Sequence, residues 1–394
     1  EGTFDRVVDG AGKVLLPGFV NAHTHLPMTL MRGYGGGCDL HTWLNQYIFP
    51  AEARLDSRAV AAGAGLGLAE MIASGVTCVA DMYMHTGTIA EQILEAGISA
   101  NLSCGGVYFG APEDFSPETC GDCRNQAALT EEWHGAGAGQ ILVDASVHGE
   151  YTSNPPLWRW MAEYAAEHRL GMHVHVSETQ SEHQASLERW GKTPIQALDG
   201  CGVWDCGRSL AAHCVYTTEE DWALMAEKGI SCVHNPWSNL KLGSGVAPIP
   251  AMMRAGVNVA LGTDGMSSHN SADLFSDIKL AAVLHNGVER DPMAVNAWAA
   301  LEMATVNGAR ALGRDTGVIA PGKTADLILV DLSAPNLIPC HDPVEDLVFS
   351  AHGSNVEMNM ARGQVIYEKG SFLTLDLERV RWEVEHYALP LIFG

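Results

Sequence analysis

Pro17-Gly18-Phe19-Val20-Asn21-Ala22-His23-Thr24-His25 is the stretch whose reading decides the fold. A Pro-Gly pair opens a short apolar run that ends in His-x-His. Side chains alternate along a strand with a period of two, so His23 and His25 point to one face. Two imidazoles on one face, at the carboxyl end of a strand, can hold one metal ion. A barrel enzyme carries its chemistry at that end of its strands. An isolated His-x-His is more often a pair of solvated loop residues. Here His175, His213 and Asp264 each follow an apolar run later in the chain, and each run can be a strand of the same sheet.

Outward from that stretch, short apolar runs alternate with segments of helical period. After the first strand, strands are expected over residues 76–81, 98–104, 140–148, 171–177, 209–213, 229–234 and 257–263. Helices are expected over 56–74, 88–96, 157–168, 183–199, 217–228 and 248–255. Continuously apolar strands are those buried on both faces. Eight such alternations predict an α/β protein with a (β/α)8 TIM-like barrel. Residues 110–139, rich in Pro, Gly and acids, are expected to loop over the barrel mouth with a short helix at about 125–133. Helices at 272–286 and 291–312 follow. A β pattern returns at 317–331, with further β segments at 344–350 and 358–368. The expected division is a β region over 1–16, a barrel over 17–312, and a return to the β region plus a tail over 313–394. The chain ends are then expected to form a small β-sandwich.

The formal net charge of −24 opposes nucleic acid and anionic membrane surfaces as partners, and leaves small molecules open. Without a run of about 18 apolar residues, no membrane span is expected. The sequence begins at Glu1 with no leader pattern, so its start is expected to be processed or missing. Several of the ten cysteines lie in apolar runs, as small core residues do, which predicts a reducing, cytoplasmic setting. Cys120 and Cys123 are expected to be a reduced pair in a loop. Self-association is left open.

The chemical residues fall at strand ends. His173 and His175 share a strand face; His175 lies nearer the mouth and is the better ligand, with His173 packed below it. Glu178 opens the next loop, His213 ends a strand and Asp264 follows one. Three imidazoles and a carboxylate suit Zn²⁺ with a position left for water. Such an ion lowers the pKa of its water to about 7, and a carboxylate beside it can carry the water proton. The fourth strand has no Lys to bridge two metals, so one metal per subunit is expected, with Fe²⁺ or Mn²⁺ as alternatives to zinc.

His23-Thr-His25, His175-Val-Ser-Glu178, Ala212-His213-Cys214-Val215, His234-Asn235-Pro236, Ser238-Asn-Leu-Lys-Leu-Gly-Ser-Gly245 and Leu261-Gly-Thr-Asp264-Gly together resemble the amidohydrolase superfamily. The resemblance is closest to its methylthioadenosine/S-adenosylhomocysteine deaminase branch. It implies that His23, His25, His175 and Asp264 hold the metal, and that Glu178 protonates the purine ring nitrogen. His213 then polarises the water or the developing oxyanion, while Asp264 shuttles the proton. It also implies that Glu52 binds ribose hydroxyls and that His148 touches substrate. Arg124 is the one arginine between Ser99 and His148 that could meet an amino-acid tail. Trp237 interrupts the usual Asn-Pro-Ser-Ser-Asn run and either stacks on a base or packs. His269 is expected to be a solvated loop residue. The implied reaction is hydrolytic deamination of an adenosine-type nucleoside. The alternatives are a guanine-like or pterin-like free base, a triazine-type halohydrolase, and a non-catalytic metal-binding barrel.

Overall fold

The structure is a computed structural model and describes Phe4 and residues 6–394. Strand β1 (Lys13–Pro17) leads into β2 (Phe19–His25), which carries the two histidines. Then come β3 (Val76–Met82), β4 (Ser99–Ser103), β5 (Ile141–Val143), β6 (Ala145–Gly149), β7 (Met172–Val176), β8 (Ser209–His213), β9 (Ile230–His234), β10 (Val259–Leu261) and β11 (Asp264–Gly265). From β2 onward these form two five-stranded sheets, in the orders β11-β2-β3-β4-β5 and β10-β9-β8-β7-β6. All their pairings are parallel.

Only Asp144 separates β5 from β6, and only Gly262 and Thr263 separate β10 from β11. Each seam is one stretch of chain passing from one sheet to the other, and just past the second Asp264 pairs with Thr24 of β2. A small apolar cluster with Val20, Ala22, Ala80, Leu210, Val233 and Ala260 draws on strands of both sheets. The arrangement is consistent with a TIM-like barrel. Local chemistry explains both interruptions. The buried Asp144 carboxylate accepts from Asn101 Nδ2 at 2.9 Å, from the Gly171 amide at 3.2 Å and from Arg208. At Gly262 a Cβ would lie 2.5 Å from Asn235 Oδ1 and 2.8 Å from His23 O, so only glycine fits beside the histidine strand.

The first strand is anchored by burial. Phe19 is fully buried and meets Phe275 edge-on at 4.9 Å between centroids. Burial of such a ring stabilises by about 1.5–3 kcal/mol. The helix Ser57–Ala73 covers the turn after His25. Asp56 caps it by accepting from the Ala59 amide at 2.9 Å. Gly63 lets it approach so closely that a Cβ would stand 2.7 Å from Pro27 O.

Besides the expected strand 140–148, which Asp144 divides, and the expected β pattern 317–331, of which only Leu327–Asp331 is a strand, four segments differ from expectation. Residues 344–350 are not a strand but the helix Pro343–Phe349, with Asp342 accepting from the Val344 amide at 2.9 Å and Pro at its first position. Its apolar Val344, Leu347 and Val348 fit a helical period as well as a short strand. The segment 183–199 is two helices, Gln180–Trp190 and Pro194–Asp199, because Gly191 turns left-handed at φ 65°. The segment 291–312 is likewise Ala297–Met303 and Val306–Leu312. The mouth helix is longer, Gly121–Trp133. Cys120 and Cys123 are therefore a buried pair at its start rather than in a loop, and both are free thiols.

The chain ends build an antiparallel sheet from β1, β12 (Leu327–Asp331), β13 (Val356–Ala361), β14 (Gln364–Glu368) and β15 (Ser371–Phe372), in that order. Lys13 pairs with Asp331 in register, and its ammonium meets Glu357 at 2.6 Å. The last residues turn helical from Leu377 to Phe393 and pack on the helix Ser57–Ala73, just before which Arg54 donates to Ile392 O at 2.6 Å. Among the described residues, no helix is long and apolar enough to cross a membrane.

Candidate active site

The carboxyl ends of β2, β7 and β8 meet the start of β11 at one point. Ligand atoms of His23, His25 and His175 lie within 4.8 Å of one another, as do those of His23, His213 and Asp264. His25 Nε2 is 3.1 Å from Asp264 Oδ1 and 3.4 Å from His175 Nε2, and His23 Nε2 is 3.4 Å from Asp264 Oδ1. The other nitrogen of each ring is held. His23 Nδ1 is 2.8 Å from His173 Nε2, His25 Nδ1 donates to Met82 O at 2.5 Å, and His175 Nδ1 donates to His148 O at 2.6 Å. Ring orientations fixed in this way aim the Nε2 lone pairs at a common centre. Ser238 and Ser268 donate to Asp264 Oδ2 at 2.5 and 2.9 Å, which leaves Oδ1 for the same centre.

These residues fit a divalent metal ion. His23 Nε2 is buried without a hydrogen-bond partner, a costly arrangement unless something occupies the space before it. Burial holds His23 at about 3 and, reinforced by neighbouring imidazoles, His175 well below the usual histidine range, so both are neutral, as ligands must be. Burial opposes a charge on His25, yet Asp264 outweighs it and raises His25 to about 9. Burial opposes a charge on Asp264 too, but its contacts with His23 and His25 hold it well below the carboxylate range. A bound cation would take the place of the proton that this pair shares.

Glu178 and His213 stand beside the cluster. Glu178 Oε2 is 3.7 Å from His213 Nε2, and Ser244 Oγ donates to Glu178 Oε1 at 3.3 Å. Burial pushes the Glu178 carboxyl above its usual value. Glu182 fixes this turn by accepting from the Ser177 and Glu178 amides at 2.7 and 2.8 Å. His213 Nδ1 donates to Asn239 Oδ1 at 2.8 Å, so Nε2 is the nitrogen presented to the cavity. Ser177, His213 and Asp264 all take positive φ, at 48°, 73° and 61°. Such backbone strain in non-glycine residues gathers where side chains must be aimed.

A cavity of about 350 Å³ opens over this cluster and is lined by His25, His175, Glu178, His213 and Asp264 together with Glu52 and His148. Glu52 ends the helix Phe49–Glu52 and accepts from the Tyr83 hydroxyl at 2.6 Å. Burial raises its carboxyl. Burial and the nearby imidazoles of His25 and His213 lower His148 to about 4.

Three expected residues lie elsewhere. Arg124 is exposed and donates to Glu118 O at 3.1 Å. Asp122, two residues earlier, lines the cavity instead, because positions two apart on a helix face nearly opposite ways. Trp237 is 41% exposed and stays outside; in its short helix Ser238 and Asn239 turn inward to Asp264 and His213. His269 is not solvated but buried, with Nε2 2.8 Å from Asp277 Oδ2. His173, expected to pack below His175, is buried and packs against His23 instead, with Nε2 2.8 Å from His23 Nδ1. Sequence reading missed Tyr83, Tyr151 and Asp122 in the cavity wall. Tyr83 directly follows β3, so the strand-end rule could have found it; nothing local marks the other two.

A family model of the amidohydrolase family matches residues 14–366. A 5-methylthioadenosine/S-adenosylhomocysteine deaminase of Dictyoglomus thermophilum is 42% identical over 389 residues, covering 98% of this chain and 90% of the relative. A 5'-deoxyadenosine deaminase of Methanothermobacter thermautotrophicus is 40% identical over 390 residues, 99% of this chain and 90% of its own. Among solved structures, an adenosine deaminase from Xanthomonas campestris with bound zinc superposes with a TM-score of 0.90 at 33% identity, over 96% of this chain and 86% of that one. With a family match over most of its length and relatives of this identity, the chain belongs to the amidohydrolase family.

Proposed function

We propose that this protein is a metal-dependent hydrolytic deaminase that converts an adenosine-type nucleoside to the inosine-type product and ammonia. The observation that carries the reading is the convergence on one cavity of three Nε2 atoms and a carboxylate, a buried acid beside them, and a second carboxylate anchored by a tyrosine. The names of the relatives point the same way. His23, His25, His175 and Asp264 would hold the metal, and zinc suits this donor set. What a zinc ion bound there supplies is Lewis acidity, which lowers the pKa of water to about 7.

The chain's own groups do the rest. Glu178, its carboxyl raised by burial, carries a proton to the ring nitrogen next to the amine-bearing carbon. That protonation makes the carbon electrophilic. Asp264 takes one water proton and passes it to the amine as the carbon–nitrogen bond breaks, and the proton left on the added hydroxyl returns to Glu178, which restores the acid and leaves the oxo product. His213 Nε2 faces the new oxygen of the tetrahedral adduct. Glu52 would accept from the ribose hydroxyls, with Tyr83 setting its orientation, and His148 would contact the base. The chain-end sheet is read as one layer of a small β-sandwich, with the domain division at residues 16/17 and 312/313.

The test is ammonia release by zinc-reconstituted protein from adenosine, 5'-deoxyadenosine, methylthioadenosine, S-adenosylhomocysteine, guanine and a pterin. Turnover of the adenosine series is expected. Turnover of free bases alone would overturn the nucleoside reading, and halide release from a chlorotriazine with no ammonia from any amine would overturn deamination.

A further inference from the structure

The fixed charge of the cavity is one-sided. Among the described residues that line it, Glu52, Asp122, Glu178 and Asp264 are carboxylates and none is Lys or Arg. Glu178 and Asp264 serve the reacting end, and Glu52 is tied to Tyr83. Asp122 has no part in the chemistry. It sits in the first turn of the helix Gly121–Trp133 and accepts from the Val107 amide at 2.8 Å, which pins that turn to the cavity wall. Leu40, Leu44, Met84 and Val107 line the same cavity and, like Asp122, are partly exposed, Met84 by 38%, so these residues belong to its solvent-facing rim, which is apolar apart from its carboxylates. The arginine that follows in sequence, Arg124, is exposed and bonded to the Glu118 carbonyl.

Resting on the adenosine-type reading, we propose that Asp122 sets the substrate class at the open end of the cavity. The site takes nucleosides whose 5' substituent is neutral or cationic and disfavours those bearing a carboxylate or phosphate there. An apolar thioether or methyl group replaces water along the Leu40–Met84 wall and needs no charge partner. An ammonium gains Asp122 as a counter-charge. An anionic group leaves water for a cavity in which the facing fixed charges repel it, and such like-charge juxtaposition lowers binding by more than about tenfold. A zwitterionic amino-acid tail gains an ammonium contact and leaves its carboxylate without a cation, which ranks it below the thioether.

The experiment measures kcat/KM of the zinc-loaded enzyme and its Asp122→Asn variant. The substrates are 5'-deoxyadenosine, methylthioadenosine, 5'-amino-5'-deoxyadenosine, S-adenosylhomocysteine and adenosine 5'-monophosphate. In the wild type the amino compound is expected to exceed 5'-deoxyadenosine about tenfold, with methylthioadenosine at least about tenfold above S-adenosylhomocysteine and the monophosphate last. In Asp122→Asn the ratio of amino to deoxy compound falls to about one. The proposal is overturned if S-adenosylhomocysteine or the monophosphate matches methylthioadenosine in the wild type, or if the amino-to-deoxy ratio is the same in the variant. Should the variant not fold, the wild-type ranking decides alone. Turnover of free bases but of no nucleoside would instead bring down the adenosine-type reading, and this inference with it.

Discussion

Replacement of Glu178 by Gln removes an acid while keeping the shape of the site. Gln can still accept from Ser244 Oγ, which stands 3.3 Å from Glu178 Oε1, and the main-chain bonds to Glu182 are untouched. The side chain is 7% exposed, so bulk water has little access to replace the lost proton donor. General acid catalysis is worth about 10²–10⁴ in rate, or about 2.7–5.4 kcal/mol at 1.36 kcal/mol per decade. Steady-state ammonia release should therefore show kcat lowered by about two to four decades. Metal content should stay that of the wild type, because Glu178 is not among the groups gathered around His23. Ser244→Ala gives the scale of a merely local hydrogen bond: about 0.5–1.5 kcal/mol, or about two- to twelvefold. If Glu178→Gln loses no more than Ser244→Ala while fully metal-loaded, proton donation by Glu178 is refuted.

Three other perturbations test how the site is held. Gly262→Ala would place a Cβ 2.9 Å from His23 Cβ and 2.5 Å from Asn235 Oδ1, so it should shift the histidine strand and lower bound metal per chain; full metal occupancy would show that the strand can yield. His269→Ala leaves the buried Asp277 carboxylate unpaired and should cost about 3–5 kcal/mol in denaturant unfolding, whereas a solvated histidine would cost about zero. Glu70→Gln tests a pH-dependent tie between the helix Ser57–Ala73 and the loop near Asn270. Burial opposes ionisation of Glu70, but Arg32 and the Ala272 amide outweigh it and lower its pKa. A carboxylate with a depressed folded-state pKa stabilises above its unfolded value and loses that stabilisation as pH falls through the folded value. The wild type should therefore exceed Glu70→Gln by about 1–2 kcal/mol at pH 7, with the gap closing as pH falls from about 5 towards 3. A gap that widens on acidification would contradict this.

What the amino-acid sequence determined by itself was everything governed by short-range periodicity. The period of two in Phe19–His25 placed His23 and His25 on one face, and the apolar runs ending at His175 and His213 or preceding Asp264 put chemistry at strand ends. The alternation of runs was enough to order the strands, because each buried strand must be apolar along its whole length. Tertiary structure decided what depends on rotation and on distant partners. Which face of the helix Gly121–Trp133 looks into the cavity made Asp122, not Arg124, its contribution. One turn of helix after Asn235 turned Ser238 and Asn239 inward and left Trp237 outside. The Tyr83 hydroxyl meets Glu52 across 31 positions of sequence, and the Ser238 hydroxyl meets Asp264 across 26. Helix or strand at residues 343–349 turned on a cap and on packing, since an apolar run so short fits either period. Local pattern fixes which way a side chain points relative to its own element; only the packed fold fixes what stands opposite it.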